Sequence, residues 1–360
     1  MPLLSLMTQL WPIPPTINEN YHRPTNSIIY MNKPPYIVTV LGFNQALASA
    51  ITGALDVFAF AGVSWQRIHQ MPTTPQFKVQ LASAHGQPFL CSNQVTLNPN
   101  IAIEDVSHTD ILLIPTIGGD IDAVLADIQP QLVHIKRLQK MGADIAANCT
   151  GTFILAETGL LANSVATTHW GYADKFKARY PDVDLQSDKM VTQADSIYCA
   201  GGGMAWIDLS ILLIERFCGH QVASDTAKSH VLDVSRTNQT IYASSRQRHF
   251  HSDKDISAVQ SYLEQHLHTK FTLAELAHNH NMTERTLMRR FKNACDTTPW
   301  QYLQSLRIEH ARKLLETTNM SLEKLVYAVG YEDMSSFTRL FKKTTGLSPS
   351  QYRAKFNRTR

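Results

Sequence analysis

At an offset of fifty residues the carboxyl-terminal part of the chain matches itself. Thr286, Leu287, Arg289, Phe291, Lys292, Pro299, Gln301 and Tyr302 stand opposite Ser336, Phe337, Arg339, Phe341, Lys342, Pro349, Gln351 and Tyr352. Turn residues and apolar positions rarely fall into step by chance, so this stretch must build one supersecondary unit twice. Just upstream, "TLAELAHNHNMTERTLMRRFKN" and "SLEKLVYAVGYEDMSSFTRLFKK" each read as a capped amphipathic helix, a short turn and a second helix. Two helix-turn-helix units are implied, and residues 253–360 form an all-α domain.

A helix turns by about 100° per residue, which separates core from surface. Leu287 and Phe291 then share one face, with Arg285, Met288 and Arg289 opposite and Thr286 beside them. In the second copy Phe337 and Phe341 point inward, and Ser335, Ser336, Thr338 and Arg339 outward. A guanidinium on an exposed helix face can donate two hydrogen bonds to guanine O6 and N7, and hydroxyls can contact bases or phosphates. The alternative is two solvated faces of an ordinary helical bundle, and charge weighs against it. Residues 253–360 hold 17 Lys+Arg and 11 Asp+Glu, a net of 17 − 11 = +6, while the preceding residues hold 16 and 19, a net of −3. A basic domain beside a mildly acidic one suits a polyanion such as double-stranded DNA. Between the units, "PWQYLQSLRIEHARKLLETT" predicts one long helix. Such a connector is stiff enough to hold two reading helices about 34 Å apart, the spacing of successive major grooves.

Arg307, Ile308, Ala311, Leu314 and Leu315 of that connector, with the block "GYEDMSSFTRLFKKTTGLSPSQYR" at 330–353, give residues 253–355 a specific resemblance to the AraC/XylS family of transcription regulators. The resemblance puts Arg285, Thr286, Met288 and Arg289 where the first reading helix touches bases, and Ser335, Ser336 and Arg339 where the second does. Met288 would meet a thymine methyl.

The remainder of the chain has another texture. Residues 1–35 hold seven of the sixteen prolines and no sustained periodicity, which predicts a mobile extension. From residue 36, short apolar runs such as "YIVTVLGF" and "DILLIPTIG" alternate with helical patterns as far as "WIDLSILLIERFCG". Strands buried on both faces that alternate with helices imply a mostly parallel sheet in an α/β sandwich over residues 36–220. Residues 221–252 are polar and irregular and read as a linker. "MPLLSLMTQLWPIPP" has no basic start, so no secretory signal is expected, and the apolar stretch 196–214 carries three glycines and Asp208, so no membrane span is expected. Cys91, Cys149, Cys199, Cys218 and Cys295 lack metal-ligand or disulfide spacing, which predicts no metal, no cofactor and a reducing cytoplasm.

"ANCTG" places Cys149 between a strand and a helix. A strand-to-helix elbow exposes its side chain and a helix N-terminus favours an anion, so a stabilised thiolate is expected. The N–H groups of Thr150 and Gly151 could grip an oxyanion or carboxylate, and the side chains of Asn148 and Thr150 could add hydrogen bonds or simply satisfy the turn. "DILLIPTIGG" (110–119), "ANCTG" (147–151) and "ATTHW" (166–170) resemble the ThiJ/PfpI branch of the class I glutamine amidotransferase-like, flavodoxin-like fold. The two domains in this order resemble the GlxA family of regulators, in which the first domain serves as a sensor. That resemblance sets His169 near the thiol; the alternative is a buried histidine bonded to strand ends. Enzymatic relatives carry a Glu or Asp soon after the first strand, whereas no carboxylate occurs from Leu41 to Leu55 and Ala50 stands about where it belongs. No catalytic residue is therefore assigned. Cys149, Asn148, Thr150, Gly151 and His169 are expected to line a ligand pocket. The competing readings are a Cys149-dependent hydrolase or aldehyde-handling enzyme, and a thiol redox sensor. The expectation is a cytoplasmic, homodimeric, sequence-specific regulator that binds a double-stranded DNA operator through residues 253–360 and a small-molecule effector through residues 36–220.

Overall fold

The computed structural model describes residues 35–357 apart from 234, 235, 237, 241 and 243–252. All but the last residue of the extension expected over 1–35, and the end of the expected linker, lie outside the described residues. The chain divides into two compact units, Met1–Gln239 and Thr240–Arg360.

In the first unit, β1 (Tyr36–Gly42) leads through α1 (Ala48–Ala59) and α2 (Ser64–Ile68) to β2 (Phe77–Ser83). The short strands β3 (Phe89–Leu90), β4 (Thr96–Leu97) and β5 (Ile101–Ala102) come next, then β6 (Ile111–Ile114). Helices α3 (Ile121–Asp127) and α4 (Leu132–Lys140) cross to β7 (Asp144–Asn148), which runs into α5 (Gly151–Glu157). After β8 (Val165–Ala166), α6 (Ala173–Arg179), β9 (Asp184–Leu185), β10 (Val191–Ala194) and β11 (Ile197–Ala200), the unit closes with α7 (Trp206–Cys218) and α8 (His220–Ser229). Seven strands form one sheet in the order β10-β11-β7-β6-β1-β2-β5, parallel except where β10 meets β11. Every residue of β6 and β7 is buried, because helices cover both faces of the sheet; hence unbroken apolar runs rather than alternation. Helix α1 buries Ala50, Ile51, Ala54, Val57 and Phe58, the one-sided spacing of a covering helix.

The linker expected over 221–252 is corrected at its start. His220–Ser229 is a helix that packs on α7 and α2, buries Ala223, Thr226 and Ala227, and is set off from α7 by Gly219 at φ 85°. Its inward face is built from small and hydroxyl residues, so no apolar stripe marked it. Arg236, Asn238 and Gln239 also belong to the first unit, which ends at Gln239.

The second unit consists of α9 (Lys254–Gln265), α10 (Leu273–Asn279), α11 (Glu284–Cys295), α12 (Pro299–Thr317), α13 (Leu322–Ala328), α14 (Met334–Thr345) and α15 (Pro349–Phe356). The duplication runs deeper than the sequence match. Residues 291–300 and 341–350 carry the same order of buried, half-buried and exposed positions. Thr298 and Ser348 each close a capping box with the glutamine three residues on, Gln301 and Gln351. Ile256, Val259 and Leu263 of α9 fill the first core as Ile308, Ala311 and Leu315 of α12 fill the second. Tyr302 Oη donates to Glu264 at 3.2 Å and Tyr352 Oη to Glu316 at 2.7 Å. Helix α12 therefore ends one copy and begins the next. The copies differ in one turn: the caps Thr272 and Ser321 lie forty-nine positions apart, but Thr283 and Asp333 lie fifty apart.

Candidate functional sites

The two candidate reading helices are α11 and α14, each the second helix of its helix-turn-helix. Leu287 and Phe291 are fully buried on one side of α11, and Phe337 and Phe341 on the same side of α14. Arg285, Arg289, Ser335, Ser336 and Arg339 are exposed, while Thr286, Met288 and Thr338 are half-buried. Among the described residues, neither Arg285, Arg289 nor Arg339 forms an ion pair within 4 Å, although the charge of Arg339 helps to hold the Asp333 carboxyl down. Arg290 differs: it donates to Asp253 at 2.6 Å and Asp255 at 2.9 Å and ties α11 to the start of α9. Its repeat partner Leu340 packs on the second core instead.

Two of the expected hydroxyl contacts are engaged locally. Thr283 Oγ1 accepts from the Thr286 N–H and donates to Thr286 Oγ1 at 2.9 Å. Asp333 accepts from the N–H of Ser336 at 2.7 Å, and a further bond to the Ser336 hydroxyl holds its carboxyl below the usual carboxylate range. Both residues serve as the N3 partners of their caps, which fixes where each helix begins.

Arg307, the first residue of the connector motif, is 4% exposed. Its Nε donates to the carbonyl of Leu267 at 2.6 Å and Nη2 to that of Thr269 at 3.3 Å, both in the turn between α9 and α10. The same guanidinium lies over the rings of Trp300 at 5.9 Å and of Tyr331, in the turn before α14, at 5.5 Å. One side chain on the connector thus touches both copies. Lys270 and Glu332 add an exposed ion pair across the same two turns.

In the first unit the elbow forms as expected. Cys149 sits at φ 57°, in the left-handed region that costs a non-glycine residue roughly 1–2 kcal/mol. Its N–H donates to Ala200 at 2.8 Å and its carbonyl accepts from Thr168 Oγ1 at 2.8 Å, and these bonds hold it there. Gly151 lets the start of α5 press on the end of β6, since a Cβ there would overlap the Pro115 carbonyl oxygen. Asn148 and Thr150 turn inward. Asn148 Nδ2 donates to Thr116 Oγ1 at 2.6 Å and Thr150 Oγ1 to the Ile117 carbonyl at 2.8 Å, so both side chains hold the turn together.

The expected stabilised thiolate is corrected by burial. Cys149 is 4% exposed, and desolvation pushes its thiol up against the pull of backbone N–H groups at Gly203 and Thr150. Burial likewise pushes His169 down, which leaves its imidazole neutral at pH 7. His169 Nδ1 accepts from the Gly171 N–H at 2.9 Å, so the ring proton resides on Nε2. A neutral ring that carries its proton there is a donor and not a base. Ala50, where a carboxylate was sought, is fully buried in α1, and Asp56 is exposed.

Sequence reasoning missed Gln239, which sits in a polar stretch that offers no signal. It is 2% exposed, and its carboxamide bonds to residues flanking His169. Among the described residues no His, Cys, Asp and Glu cluster suits a metal ion, and no helix is long and apolar enough to cross a membrane.

Residues 62–216 match the DJ-1/PfpI family, and residues 276–355 match a family described as a helix-turn-helix domain. The chain is 32% identical over 280 residues to the HTH-type transcriptional regulator CdhR of Pseudomonas aeruginosa, covering 77% of this chain and 82% of that protein. It is 27% identical over 234 residues to the regulator ArgR of the same organism, covering 64% and 71%. With the regulator GlxA of Rhizobium meliloti it shares 25% identity over 229 residues, covering 63% and 70%. The chain belongs to the HTH-type transcriptional regulators that join a DJ-1/PfpI domain to an AraC-type helix-turn-helix domain.

Proposed function

We propose that this regulator reads double-stranded operator DNA with Arg285, Thr286, Met288 and Arg289 of α11 and Ser335, Ser336, Thr338 and Arg339 of α14. The observation that carries the proposal is the matched burial of the two helices, which leaves Arg289 and Arg339 exposed at the same point of each copy. Arg289→Ala and Arg339→Ala should each weaken specific binding by about 1–3 kcal/mol, roughly five- to 150-fold, while non-specific binding changes little. Fluorescence anisotropy on a mapped operator measures this; unchanged specific affinity in both variants refutes it.

The elbow, we infer further, binds a small-molecule effector through Cys149, the N–H groups of Thr150 and Gly151, and His169, with Asn148 bracing the turn. The effector acts by binding two conformations unequally, the only way a ligand can change DNA affinity. A buried thiol whose titration burial pushes up, with Ala50 where the carboxylate was sought, supports sensing over turnover. Cys149-dependent hydrolysis of simple amides, lost in Cys149→Ala, is the result that overturns it. A cytoplasmic homodimer completes the proposal, and light scattering should give twice the chain mass of 40.4 kDa.

A further inference from the structure

The slot that holds Gln239 is built for one chemical group. Gln239 Oε1 accepts from the N–H of Gly202 at 2.9 Å and of Trp170 at 3.3 Å. Its Nε2 donates to the Thr168 carbonyl at 2.7 Å, and to Thr167 Oγ1 and the Lys189 carbonyl at 3.3 Å each. Donors converge on the oxygen and acceptors on the nitrogen. A carboxylate would set negative charge against the acceptors, and an ammonium would face the donors, so a primary carboxamide is the match.

The walls of the slot are also the walls of the Cys149 site. Thr168 holds the Cys149 carbonyl, the His169 ring occupies the space a Cβ on Gly202 would need, and the backbone at Gly203 acts on the Cys149 thiol, opposing the rise that burial causes. Residues before Gln239 are anchored separately. Asn238 bridges Lys189, and Arg236 pairs with Asp208 and donates to the Met204 carbonyl at 3.2 Å. The Gln239 N–H donates to the Asp188 carbonyl at 2.9 Å, so the carboxamide can leave its slot while Arg236 and Asn238 stay fastened, and the loosening falls on Gln239 and Thr240. The next residue, Thr240, begins the second unit.

We propose that Gln239 is a displaceable plug: a small molecule carrying a primary carboxamide enters beside Cys149, takes over the slot and expels the Gln239 side chain, releasing the chain that leads into the DNA-binding unit. This rests on the effector reading of the Cys149 site and names the ligand class and its coupling. An intramolecular competitor that fills the slot about nine-tenths of the time or more weakens the apparent affinity of a free carboxamide about tenfold or more, so removing it should tighten carboxamide binding by that factor.

The test uses the full chain, with propionamide as probe and propionate as control, read by hydrogen–deuterium exchange. Propionamide should speed exchange of the Gln239 and Thr240 amides while the Gly202 amide stays protected; propionate should leave exchange at Gln239 and Thr240 unchanged. Gln239→Ala should exchange quickly at 239–240 without probe and bind propionamide at least tenfold more tightly than the wild type. Gln239→Glu, which keeps the shape but faces acceptors with a carboxylate, should also speed exchange at 239–240, and thermal melts establish that both variants fold. Equal propionamide affinity in wild type and Gln239→Ala overturns the plug. No DNA enters this competition, so it stands or falls apart from the Arg289 and Arg339 measurement; operator affinity unaltered in Gln239→Ala removes the coupling alone.

Discussion

Arg307→Met tests how the two helix-turn-helix copies are held together. The side chain is almost wholly buried, and it donates to the carbonyls of Leu267 and Thr269 while lying over Trp300 and Tyr331. Methionine matches its length and apolar stem but supplies no donor. Leu267 and Thr269 are half-buried, so each carbonyl that loses its partner costs no more than about 1–3 kcal/mol, and each lost contact between cation and ring adds about 0.5–1 kcal/mol. Against this stands the relief of no longer burying a charge, which makes some hydrophobic replacements of buried ions neutral or stabilising. Here the partners are backbone carbonyls that remain in place after substitution, so the loss should dominate, at roughly 2–4 kcal/mol net. For a unit of this size that corresponds to a fall in Tm of roughly 6–20 °C. Scanning calorimetry of the full chain, with Trp300 fluorescence to assign the second unit's transition, measures it. Arg307→Lys, which keeps the charge but not the planar fork, should recover less than half of the loss. Operator affinity should drop tenfold or more in Arg307→Met, because both helices lose their fixed separation. An unchanged or higher Tm with intact operator binding refutes the reasoning.

Burial should also govern the chemistry of the elbow: alkylation of Cys149 by iodoacetamide should be slow at pH 7 and keep rising above pH 9, with its site read by peptide mass, whereas a rate that levels off below pH 7 would restore the stabilised thiolate. His169 is held below its ordinary value, so the unfolded chain binds the proton more readily, and the first unit should lose stability as pH falls below about 6.5; a His169→Gln variant should flatten that dependence in urea titrations. Phe291→Ala and Phe341→Ala should each cost about 3–5 kcal/mol in chemical denaturation of the second unit, since both rings are fully buried at the centre of their copies. A marked inequality between them would break the equivalence of the two cores.

What the sequence made legible follows from which signals survive in one dimension. Leu287, Phe291, Phe337 and Phe341 recur at helical spacing, so their inward faces and the outward arginines could be read directly. The elbow was legible because a short buried strand, a polar turn and a helix follow one another within a few residues at Cys149. Helix α8 was not, because Ala223, Thr226 and Ala227 bury a face too small to stand out from a polar stretch. Cys149 was misjudged in its ionisation, since local helix geometry is visible in sequence but the desolvation imposed by distant segments is not. Gln239 and Arg307 owe their roles to carbonyls and amides brought from elsewhere in their units, and no pattern along the chain marks such partners.

Hydroxyl-radical footprinting on a mapped operator, with the wild type, Arg289→Ala and Arg339→Ala compared at one salt concentration, bears most directly on the claim that α11 and α14 read DNA as a pair. Two protected boxes centred about 10 base pairs apart are expected, each variant erasing the box of its own helix and leaving the other. A single box, or two boxes that persist in both variants, would contradict it.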